Sequence, residues 1–174
     1  MIELSDEHLP RDLEFDDDYA NYVTVLLGQV INCCLDENAT LLEMSQWSHL
    51  HHSLEEWRAC LPASFEPLTL ASNFKPNHGL FHIWAVHGWH GTQRDLYKST
   101  TDKVAAALQY YHTAMTILLL AKPQSQTAIG RIDQLASLTR EIEDHATRLC
   151  ALALTSECQS VWVNAFGPIA FCMP

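Results

Sequence analysis

LLEMSQWSHLHHSLEEWRACL, residues 41–61, decides the fold class. Trp47, Leu50, Leu54, Trp57 and Leu61 step by three and four residues, which lines them up on one side of an α-helix. Pro62 ends the run, because it has no amide hydrogen to donate and its ring blocks a further helical turn. The same spacing recurs on either side. Upstream, Asp16, Asp17 and Asp18 offer carboxylates to the free N–H groups of a first turn, and Tyr19, Val23, Leu26, Val30 and Cys33 share one face as far as about Leu35. Asn38 and Thr40 then restart the chain.

Downstream, Thr101 or Asp102 is the expected cap of a helix reaching Ala121, with Val104, Leu108, Tyr111, Met115 and Leu118 on one stripe and Lys122-Pro123 as its stop. The small residues Ala105, Ala106, Ala107 and Ala114 permit close helix packing. A further helix spans about Thr127 to Thr155. Its expected inward residues are Ile129, Ile132, Leu135, Ile142, Leu149 and Ala153, and its expected outward ones Glu141, Asp144 and Arg148, the last two as an i, i+4 pair. Between the second and third of these helices, from Pro62 to Gly91, prolines and glycines break up an apolar connection that holds a short expected helix around Phe81 to Trp89. A last apolar segment, Val161 to Met173, is interrupted by Gly167-Pro168. Period-two alternation is hard to find, so the chain reads as all-α, an irregular bundle of about five to six helices.

A length of 174 residues with 48 % hydrophobic content supports one domain with a real core. Residues 1–18 carry eight acids against Arg11 alone and read as a flexible acidic segment ahead of a helical domain over 19–174. The formal net charge of -11 repels phosphate, so direct nucleic-acid contact is not expected. A basic start followed by an apolar leader is missing, and the run Met115 to Ala121 is too short for a membrane span. The cysteines Cys33, Cys34, Cys60, Cys150, Cys158 and Cys172 lie in apolar stretches without paired spacing and read as reduced, mostly buried thiols of an intracellular protein.

Three stretches taken in order carry a resemblance. WSHLHHSLEEWRACLPASFEPL, from Trp47 to Leu68, has two tryptophans ten apart followed by a proline and a Ser-Phe-x-Pro turn. LFHIWAVHGWHGTQRDLYKSTTDKVAAALQYYHTAMTILLLAKP, from Leu80 to Pro123, places Phe81, Ile83 and Trp84 before a helix with the core Gln109-Tyr110-Tyr111-His112-x-Ala114. EIEDHATRLCALALTSECQSVWVNAFGPIAFC, from Glu141 to Cys172, ends in a Pro-Ile segment. Together they are similar to the fungal-specific transcription factor domain, the helical regulatory region that follows a binuclear zinc cluster in fungal regulators. The zinc cluster's Cys-x2-Cys-x6-Cys pattern is absent from this sequence, so no metal-binding cysteine and no DNA-reading helix is assigned. The resemblance implies a part of a larger helical regulatory domain, a nuclear or cytoplasmic location, and control of metabolic, secondary-metabolite type genes through protein partners or a small-molecule effector. The chain stops where the family continues, and it reads as a fragment or a shortened relative.

Four constellations invite chemistry, and each has a plainer reading. Seven histidines cluster, His49, His51 and His52 on one helix and His78, His82, His87 and His90 beyond it; His78 and His82 have metal-ligand spacing, but packed or surface histidines account for them more simply. Cys33, Cys60 or Cys150 beside a histidine would make an activated thiolate, against inert core thiols. Glu141, Glu143, Asp144 and His145 would supply an acid and a base, against a charged outer helix face. Trp47, Trp57, Trp84, Trp89 and Trp162 with Tyr110 and Tyr111 would line a cavity in a stand-alone isomerase or cyclase, against an aromatic core. No catalytic, cofactor-binding or metal residue is assigned, and no cofactor is expected.

Overall fold

The computed structural model describes residues 13–35, 42–65, 94–155 and 162–163, with the side chains of 94–101 and 154–155 left aside. They form four helices and one 3-10 turn, with no strand among the described residues: α1 (Asp16–Cys34), α2 (Met44–Ala59), the turn Ala63–Phe65, α3 (Arg94–Leu120) and α4 (Ala128–Thr155). The all-α expectation holds in this form. The acidic residues 1–12, the helix expected at Phe81–Trp89 and nearly all of Val161–Met173 lie outside the described residues.

α1 starts where the aspartates stand, by a different contact from the one expected. The Asp18 carboxylate reaches back to accept from the backbone N–H of Phe15 at 3.1 Å and of Glu14 at 3.4 Å, fixing the chain that enters the helix. Asp16 accepts from the Ser64 hydroxyl at 2.7 Å, and Asp17 meets the Lys103 ammonium at 2.8 Å, so the same acidic turn ties α1 to the 3-10 turn after α2 and to α3. Both partners of the lysine pair are about half exposed, which limits its worth to about 1 kcal/mol or less.

α3 starts at Arg94, well before the expected cap at Thr101 or Asp102. Neither Pro nor Gly stands between 94 and 102, and a short Ser-Thr-Thr-Asp run offers an alternative cap without forcing a stop. This helix is the axis of the fold. Val104, Leu108, Tyr111, Met115 and Leu118 are buried as the spacing predicts, and so are Ala105, Ala107, Gln109, His112, Ala114, Thr116, Ile117 and Leu119, because α1, α2 and α4 all pack against α3. The core joins these residues to Tyr22, Val23, Leu26 and Val30 of α1, Trp47, Leu50, Leu54 and Trp57 of α2, and Leu152 of α4.

α4 corrects one expectation sharply. Leu149 and Ala153 are buried and Ile142 is half-buried, but Ile129, Ile132 and Leu135 are 75, 69 and 67 % exposed. Steps of three each fall about 60° short of a full turn, which carries Ile129 and Ile132 off the side that Ile142, Leu149 and Leu152 share. Leu135 is in line with that side, two turns nearer the start of α4, and its exposure shows that the cover does not reach it. Its start follows the sequence, with Thr127 as cap: the Thr127 hydroxyl accepts from the Gly130 N–H at 3.1 Å.

Candidate functional site

The polar groups that the fold draws inward meet where α2, α3 and α4 come together. The α2 stripe brings Trp57 to the centre of the core, where its indole N–H donates to the Tyr19 carbonyl at 2.9 Å and its ring stacks on Tyr111 at 5.5 Å between centroids. The Tyr111 hydroxyl, directed back toward α2, donates to the Glu55 carboxylate at 2.9 Å. Burial, then the adjacent Glu55 charge, pushes the Tyr111 phenol well above its ordinary range, so it acts as a fixed donor.

The neighbouring residue turns the other way. His112 is 4 % exposed, and its Nδ1 lies 2.8 Å from Nδ1 of His145 on α4. His145 sits on the same side of α4 as Ile142, Leu149 and Leu152, at helical steps of three, four and three. Both imidazoles titrate below the usual histidine range. Burial is the main cause for each; for His112 the other ring and the Arg148 and Arg58 guanidiniums add to it, and for His145 the nearby Asp144 carboxylate works against it. Arg148 Nε stands 3.0 Å from the Asp144 carboxylate, the expected i, i+4 pair, with the N–H too far off line to count as a hydrogen bond.

The constellations read from the sequence fare differently. His145 leaves the acid–base set: Glu141, Glu143 and Asp144 lie on the exposed face of α4, while His145 points toward α3. Trp47 and Trp57 fill the core, and Trp47 donates its N–H to the Leu118 carbonyl at 2.7 Å; Trp162 is 46 % exposed, and Trp84 and Trp89 lie outside the described residues. A groove of about 170 Å³ between the ends of α1 and α3 is lined by Cys34, Leu35, Thr113, Thr116, Ile117, Leu120 and Ala121, none of them a member of the aromatic set. That volume is below the roughly 300 Å³ at which ligand pockets begin.

No protein family model, no curated protein and no solved structure matches the chain.

Of the histidines, His49 and His51 are half-buried, with His51 stacked on Trp47 at 4.8 Å, and His52 is exposed; His78, His82, His87 and His90 lie outside the described residues. Among the described residues no three His, Cys, Asp or Glu side chains converge as a metal site would require. The thiols are less buried than expected: Cys33, Cys34 and Cys150 are half-buried and Cys60 is exposed, all free, while Cys158 and Cys172 lie outside the described residues. Burial raises the Cys33 thiol, and burial with the adjacent Cys33 pushes Cys34 up to about 11, which leaves both protonated and poorly nucleophilic at neutral pH. No described helix is long and apolar enough to cross a membrane.

The His112–His145 pair escaped the sequence reading although its signal was present. His145 interrupts an apolar stripe at the position where a leucine would fit, and His112 falls on a stripe with Leu108, Met115 and Leu119. A histidine in such a place needs a polar partner, and the partner here lies on another helix.

Proposed function

We propose that the chain is a regulatory binding module, a transcription regulator-like protein of a fungus that acts through protein partners or an effector without touching DNA through these residues, in the nucleus or cytoplasm. The control of metabolic, secondary-metabolite type genes follows from the resemblance of the three stretches quoted above. One observation carries the reading: Ile129, Ile132 and Leu135, three large aliphatic side chains, are all exposed on the first half of α4. Exposed apolar side chains grouped on one stretch of an otherwise polar surface mark interaction sites. The net charge of -11 favours a protein or small-molecule partner over a nucleic acid.

The test tethers the whole chain to an unrelated DNA-binding domain upstream of a reporter in a fungal cell. Reporter transcription is expected to change, and the double substitution Ile132→Glu, Leu135→Glu to abolish the change while the purified variant melts as the parent does. A tethered parent chain that leaves the reporter at its basal level overturns the reading.

A further inference from the structure

Two helices of this protein are joined through a pair of imidazoles. With Nδ1 of His112 and Nδ1 of His145 2.8 Å apart, one nitrogen must carry a hydrogen and the other a free lone pair. The contact therefore exists only while at least one ring is neutral, and with two protonated rings it becomes an N–H facing an N–H in a buried place. α4 packs chiefly on α3, whereas α3 is also held by α1 and α2. We propose that this pair is a proton-operated latch: closed while the rings are neutral, and opened when both are protonated, so that α4 comes away from α3 while α1, α2 and α3 remain together.

The charged and titratable groups around the pair are Glu55 and Arg58 on α2, Tyr111 on α3, and Glu141, Asp144 and Arg148 on α4. The Arg148 guanidinium opposes protonation of both rings, and that of Arg58 opposes it at His112. The carboxylates of Asp144, Glu55 and Glu141 favour it at His145 alone, which makes His145 the first ring to take a proton and His112 the one whose protonation splits the pair. In the closed form both rings titrate below the ordinary value, because burial penalises their charged forms. A released imidazole titrates near about 6.5. Between those values the open form binds more protons than the closed one, so the latch is fully closed above pH ~6.5 and weakens as the pH falls. At pH 5.5 one released histidine favours opening by at most about tenfold relative to neutral pH, and two by at most on the order of 100-fold.

This inference needs no partner and stands apart from the exposed aliphatic side chains at the start of α4. The intact chain is examined by amide hydrogen exchange at pH 7.5, 6.5 and 5.5, corrected for the intrinsic pH dependence of exchange, with nitrogen-15 NMR of labelled histidines recorded on the same samples. Protection of the Leu138–Ala153 part of α4 is expected to fall at pH 5.5, by at most on the order of 100-fold, with α1 unchanged, and in step with the arrival of doubly protonated signals from both rings. His145→Asn, which keeps a polar side chain and cannot titrate, is expected to lessen that response to the part His112 alone contributes, and His112→Asn with His145→Asn to remove it. Three results overturn the latch: α4 protection that does not vary with pH, α1 and α4 losing protection together, or two imidazolium rings coexisting with a protected α4. Should His145→Asn fail to fold, the NMR titration of the parent decides between the same outcomes.

Discussion

Removing Trp57 tests the assignment of the core at its most constrained point. The side chain is fully buried, with its indole N–H bonded to the Tyr19 carbonyl at 2.9 Å, one face stacked on Tyr111 and its edge against Phe65 at 6.1 Å. Trp57→Ala therefore removes contacts to α1, α3 and the turn after α2 together. Emptying a buried aromatic site costs about 3–5 kcal/mol, a large share of the roughly 5–15 kcal/mol that stabilises an ordinary domain. For a chain of this size the melting temperature is expected to drop by about 6–20 °C, at roughly 2–4 °C per kcal/mol. Trp57→Phe keeps an aromatic ring in the space but loses the indole donor, and its expected cost is smaller, about 1–2 kcal/mol. Thermal and urea melts followed by circular dichroism at 222 nm measure both. If the two variants melt with the parent, Trp57 does not sit at the junction of α1, α2 and α3, and the arrangement of the core is wrong.

The two halves of α4 should respond oppositely: Leu149→Ala is expected to cost about 2–5 kcal/mol in urea unfolding, whereas Ile132→Ala should stay within roughly 0.5 kcal/mol of the parent, and equal costs would place both residues inside. Thr127→Ala removes the hydroxyl that receives the Gly130 N–H and should cost about 1 kcal/mol, visible as fraying of the first turn of α4 in hydrogen exchange. Iodoacetamide at pH 8 is expected to label the exposed Cys60 well before Cys34, whose thiol titrates near 11; peptide mapping that finds Cys34 labelled first would contradict its burial.

The helices were legible wherever apolar residues mixed steps of three and four, as at Trp47, Leu50, Leu54 and Trp57, because that mixture tracks the 3.6-residue turn. At Ile129 and Ile132 steps of three carry the side chains off the buried side, and Leu135, though in line with Ile142, stands where α4 is uncovered, which no spacing could show. The start of α3 was hidden for another reason: Ser, Thr and Asp cap helices well but also continue them when nothing breaks the chain. The His112–His145 contact could not be foreseen as a pair, since the two residues sit on different helices and only the packing of α3 against α4 supplies the distance. What the sequence does contain is the anomaly of each one alone, a titratable ring on an apolar stripe.

The turn between α3 and α4 has a consequence for the order in which this chain is expected to assemble. Gln134 reaches back from α4, accepts from the Ser125 N–H at 2.7 Å and donates to the Pro123 carbonyl at 2.9 Å, so the connection is stapled by its own neighbours. Bringing α3 and α4 together closes only that short stretch, while docking α1 on α3 must close the whole chain from Cys34 to Arg94 at a larger entropic cost. A route with the hairpin first and α1 last is expected from these loop lengths, with the α3–α4 pairing largely formed at the rate-limiting step and the α1 contacts formed after it. Substitutions at Gln134 should then slow folding, and substitutions at Val23 should mainly hasten unfolding, a division that the two arms of a stopped-flow chevron report separately.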